Sequence, residues 1–163
     1  MACHEQNKNK VSTAELMKSR EIKKISEAEI LQKGGEIGNE LLEQIQTISG
    51  SNLTIGSKLC EISKWEELDS IATNYQADIQ KINVNSPISS ELEVQLLSAY
   101  QYNLENYLKP TPSVQKLDAK TVLYAYPIDT SSNIYKYCLD SAERIRAEMW
   151  SIKIPIKEII KQL

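Results

Sequence analysis

Phenylalanine is absent from the 163 residues, histidine occurs once, and glycine and proline occur five times each. Too little glycine and proline is present for a collagen-like or low-complexity chain. The single imidazole, His4, falls in a polar leader, which excludes His-rich zinc sites and His-dependent triads from the folded part. Three cysteines, Cys3, Cys60 and Cys138, are too far apart for C-x-x-C, which removes a zinc ribbon or a thioredoxin motif. No apolar run approaches 18 residues, so no spanning helix is expected. With 19 Lys+Arg against 22 Asp+Glu and no basic block, a nucleic-acid partner is not expected. A Gly-rich phosphate loop, a G-x-S-x-G elbow, an H-E-x-x-H and an EF-hand loop are all missing. Acid–base chemistry would fall to carboxylates, Tyr or Lys, and their spacing singles out no pair. The chain therefore reads as non-enzymatic, with no metal site.

What is present is ordinary for a folded domain: 41% hydrophobic and 25% charged residues. A length near 160 favours one domain, able to bury about 70% of its unfolded surface. Residues 1–21 lack a sustained apolar stripe and read as a leader or tether; residues 22–163 read as the domain. Ser26 and Glu29 have capping-box spacing, and Ile30, Gly34, Ile37, Leu41, Ile45 and Ile48 follow at steps of three and four. That pattern predicts a long amphipathic helix ending near Gly50. Gly34 and Gly38, one turn apart, suit either close approach by a neighbour or a kink. A second helical region is expected from Thr54 to Tyr75, with a break near Ser63.

Asp78 to Val84 reads as a strand bulged at Lys81. Ser90 and Glu93 open a third helix, with Leu92, Leu96, Tyr100, Leu104 and Tyr107 on one side and Pro110 and Pro112 as its stop. Thr121 to Ile128 and Met149 to Ile154 read as strands, the latter with Trp150, Ile152 and Ile154 buried opposite Ser151 and Lys153. Between them, Ile134 to Arg146 fits a short helix. Pro155 suits the first position of a closing helix through Leu163. Tyr100, Tyr102, Tyr107, Tyr124, Tyr126 and Trp150 are expected to be core and packing residues. Helices before strands, with the strands separated by more than tight turns, favour an α+β fold with a small antiparallel sheet.

Several blocks carry a resemblance. Met17 to Ile30, the Cys60 block (Ile55 to Glu61), Leu96 to Asn103, Val122 to Ile128 and Met149 to Pro155 are similar, in that order, to a bacterial family of PAS-like c-type haem domains. The resemblance covers about Met17 to Leu163. It implies a PAS-like antiparallel sheet flanked by long N-terminal helices. It also implies an extracytoplasmic setting, as a lipoprotein or a histidine-kinase sensor domain. Members carry C-x-x-C-H after the strand that here runs Val122 to Ile128. This chain keeps Cys138 but has Ser141 and Ala142 at the second cysteine and the histidine, and only Glu143 to Glu148 before Met149.

On that resemblance, Cys138 and Cys60, the latter matching a candidate axial ligand, are vestigial haem positions. A pairing of the two in an oxidising compartment and two inert buried thiols are the other readings. Met1-Ala2-Cys3 before a polar spacer resembles a cleaved lipoprotein start, which makes Cys3 a lipid anchor; an exposed cytoplasmic cysteine is the alternative. The expected function is a haem-free, cell-envelope binding or sensing module for an unknown small ligand or envelope protein. Its membrane link would run through Cys3 alone. A haem protein using Cys60 or Cys138 atypically is the second reading, and a ligand-free scaffold the third.

Overall fold

A computed structural model describes residues 24–51, 66–88, 90–129 and 146–163. In chain order the elements are α1 (Glu27–Ser51), α2 (Glu66–Thr73), β1 (Asp78–Asn83) and α3 (Glu91–Glu105). They continue with β2 (Ser113–Lys116), β3 (Thr121–Pro127), β4 (Glu148–Pro155) and α4 (Ile156–Ile160). The strands form one antiparallel sheet in the order β1-β4-β3-β2. The α+β expectation holds.

Ser26 starts α1 as its spacing requires: the Ser26 backbone N–H donates to Glu29 Oε2 (2.8 Å), and the Glu29 N–H donates to Ser26 Oγ (3.2 Å). The expected stripe is buried through Ile37, Leu41 and Ile45, widened by Gly38 and Leu42. It lies along β3, and the two glycines explain how closely. A Cβ on Gly34 would meet Val122 Cγ1 at 3.1 Å, and one on Gly38 would meet the Tyr124 ring at 2.3 Å. One helical turn of four residues advances about 6 Å and two strand residues about 6.6 Å, so Gly34 and Gly38 land on successive same-face side chains of β3. Close approach, and not a kink, is what these glycines serve. The Tyr124 hydroxyl then donates to Asn39 Oδ1, one residue on from Gly38.

Both faces of the sheet are covered. On one side α1, α2 and α4 pack Ile37, Leu41, Ile45, Leu68, Ile71 and Ile159 against Ile79, Val122, Tyr124, Trp150, Ile152 and Ile154. On the other, α3 packs Leu97 and Tyr100 against Ile82, Ala125, Ala147 and Met149. Trp150 is core, as expected.

The two-sided cover corrects several expectations. β1 pairs one-to-one with β4 from Asp78↔Lys153 to Asn83↔Glu148, without a bulge at Lys81. Ile79 and Ile82 are three apart because each serves a different face. β4 does not leave Ser151 in water: it is 1% exposed. Tyr100 is buried on α3 as expected, but Glu93 and Leu97 are buried where Leu92 and Leu96 were expected, and Tyr107 lies beyond the helix end. β2 was not expected; it joins β3 through a tight turn at residues 117–120, against the expectation of wider separations. Pro155 is the N-cap of α4, one place before the expected position, and the helix ends at Ile160. The leader, the residues expected to be helical from 54 to 65, and the expected helix from 134 to 145 lie outside the described residues.

Candidate functional site

Where α3 stops, the chain makes an open groove of about 670 Å³. Its construction starts with the helix end. Leu108 N–H donates to Asn103 O (2.9 Å) and Tyr107 N–H to Leu104 O (3.4 Å), the Schellman pattern, which needs a left-handed residue at its bend. Tyr107 occupies that bend with φ 55°, where glycine is the usual residue, and its side chain is thrown outward to 98% exposure. Past it, Pro110 and Pro112 hold the chain extended. The Tyr100 hydroxyl donates to Thr111 O (3.0 Å), tying that segment back to α3.

The opposite wall comes from the sheet. Tyr126 and Pro127 end β3 with Ile128 and Asp129 following, and Ala147 leads into Glu148, the first residue of β4. Ile128 N–H donates to Glu148 O (2.9 Å), holding the strand ends together. Ala147 N–H donates to Gln101 Oε1 (2.8 Å), fixing α3 to the start of β4. Leu104, Leu108, Pro110, Pro127, Ile128 and Ala147 supply the apolar surface.

The polar groups sort into engaged and unengaged. Glu148, 2% exposed, accepts from Asn83 Nδ2 (3.2 Å) and is ion-paired with Lys81 Nζ (3.3 Å). Asp129 has an interaction of its own. Burial, and secondarily the charge of a neighbouring Tyr124 phenolate, push the Tyr100 hydroxyl up to about 12, so it is a neutral donor at any physiological pH. Among the described residues, Lys109 and Asn103 line the groove with side chains that make no hydrogen bond or ion pair, while Tyr126 lines it as a half-buried ring packed against the core.

A second polar cluster is structural. Glu93, 2% exposed, accepts from Ser151 Oγ (2.8 Å) and pairs with Lys153 Nζ (3.1 Å). It brings together serine, carboxylate and lysine, but the described groove does not reach it.

Cys3, Cys60 and Cys138, the positions singled out for lipid and haem, lie outside the described residues. Of the side-chain classes that ligate haem iron, the described groove walls contribute phenols only. Among the described residues no group of three or more His, Cys, Asp or Glu could hold a metal ion. No helix among them is long and apolar enough to cross a membrane.

The expectation that the tyrosines are core and packing residues holds for Tyr100, Tyr124 and Tyr126, the last packed against the core. Tyr126 is half-buried, and Tyr102 and Tyr107 are exposed. Lys109, Asn103 and Leu108 were not expected to form a site. Their only sequence signal is a run of large side chains, Tyr107 to Pro112, with neither helix nor strand period. Comparison with known proteins returned no match: no family model fits the chain, and no curated protein or solved structure is significantly similar to it.

Proposed function

We propose that this chain is a non-enzymatic binding or sensing module of the cell envelope, related to c-type haem domains but no longer built around haem. The groove at the end of β3 is its ligand site. The observation that supports this reading is an apolar-walled groove of about 670 Å³ at residues 126–129. Such a volume lies within the roughly 300–1,000 Å³ typical of small-molecule sites. In the family this chain resembles, C-x-x-C-H follows the strand that ends there. Ser141 and Ala142 stand where the second cysteine and the histidine would be, so the haem-attachment motif is incomplete and a ligand other than haem is the favoured reading. On the same reading the domain is PAS-like, and Cys3 carries the lipid that holds it at the membrane.

The test uses N-phenyl-1-naphthylamine, a neutral fluorophore that brightens in apolar sites. One equivalent should bind per chain. Leu104→Trp, which fills the groove from half-buried α3, should abolish binding while the circular dichroism spectrum stays unchanged. Failure of the native chain to bind the dye would favour a ligand-free scaffold. Retention of Cys138 supports the haem reading as the alternative. A Soret band with a pyridine-haemochrome signal, after expression with cytochrome c maturation factors, would replace the first reading by that one.

A further inference from the structure

We infer that the groove selects a ligand carrying a single carboxylate on an apolar body, with the Lys109 ammonium as the group that recognises the charge. The inference rests on the groove being a ligand site and specifies what it takes. Its basis is the balance of engaged and unengaged groups. Both wall carboxylates are already occupied: Glu148 by Lys81 and Asn83, Asp129 by its own interaction. Among the described residues the Lys109 ammonium has no such partner, and Lys109 lines the groove between Leu108 and Pro110.

One other unengaged group of the groove is able to donate as well, Asn103 through its amide NH₂. A ligand head that only accepts hydrogen bonds can use both groups. An ammonium or guanidinium head, donor-only, would meet a like charge at Lys109. Phosphate is disfavoured for a different reason. Lys109 is the one cation among the described groove residues, so it balances the charge of a monoanion and not that of a dianion. The tyrosine and proline walls suit a flat or branched apolar body. One charge and one apolar body are therefore both needed.

Titration of ¹⁵N-labelled native chain with 4-phenylbutyrate and with 4-phenylbutyramide, its neutral isostere, separates the two contributions. The carboxylate should bind about two- to fivefold more tightly than the amide, the size expected of one solvated ion pair. Perturbed amides should cluster at residues 100–112 and 126–129. Lys109→Gln should erase the preference by weakening the carboxylate and leaving the amide unchanged, and Lys109→Arg should keep most of it. Equal affinity for the two probes in the native chain, or a preference that survives Lys109→Gln, overturns the carboxylate assignment. In that event amide binding that Leu104→Trp removes would leave the groove itself standing as a site. Binding of neither probe overturns both readings.

Discussion

Gly38 has no room for even a methyl group. A Cβ there would lie 2.3 Å from the Tyr124 ring, whereas one on Gly35 would meet Val114 Cγ2 at 3.3 Å. Alanine at either site gains about 1 kcal/mol of helix propensity. At position 35 the small shift required of Val114 offsets most of that gain. At position 38 the ring is fully buried and bonded to Asn39, so overpacking prevails. We expect Gly38→Ala to destabilise by about 1–3 kcal/mol net and Gly35→Ala to be close to neutral, read by urea unfolding. A destabilised Gly35→Ala beside a neutral Gly38→Ala would contradict the packing of α1 on β3.

The same contact affects titration. Burial, then the charge of neighbouring Tyr126, raises Tyr124 to about 12, and Tyr100 reaches about 12 as well. In the unfolded chain both phenols release their protons near pH 10. The stabilisation from keeping them protonated is complete below pH 10 and is lost as pH rises through about 12. Absorbance at 295 nm should show a late tyrosine phase, and unfolding free energy should fall steeply over that window. Tyr124→Phe should remove part of the late phase.

At the scale of elements, one carboxylate ties the first turn of α3 to β4. Glu93 sits in the first turn of the helix and bonds two β4 residues on one face, Ser151 and Lys153. Removing it alone strands a serine hydroxyl and a lysine with only a fifth of its side chain exposed. Glu93→Ala should cost about 2–3 kcal/mol, because Lys153 can still reach water in part. Replacing the whole cluster, Glu93→Met with Ser151→Ala and Lys153→Met, should recover most of that loss in thermal melts. If the triple variant were no more stable than Glu93→Ala, the cluster would be doing more than filling a buried space.

Elements were legible in the sequence where one period governed them. α1 shows its cap and its stripe, and β3 and β4 show their apolar content. Lys81 was misread because alternation presumes one wet face, and this sheet has none over β4. Ser113–Lys116 carries a single apolar residue, Val114, between prolines and a turn, so only pairing with β3 makes it a strand. The groove could not be read at all. Its walls come from residues 100–112, 126–129 and 147–148, and nothing local in those segments says that they meet. Tyr107 looked like the last core position of a helix; the Schellman bend turns it to the outside.

For the molecule as a whole, the place of β4 matters most. Its neighbours in the sheet, β1 and β3, are not paired with each other, so within the sheet β4 alone joins β1 to the rest. It is also the last of the four strands to be synthesised, and Asn83 bonds to Glu148 across a separation of 65 residues. Contacts that distant close slowly. During translation, β1 must therefore wait with one whole edge unsatisfied while α3, β2 and β3 emerge. The half-made domain exposes just the kind of strand that chaperones bind and that neighbouring nascent chains can capture.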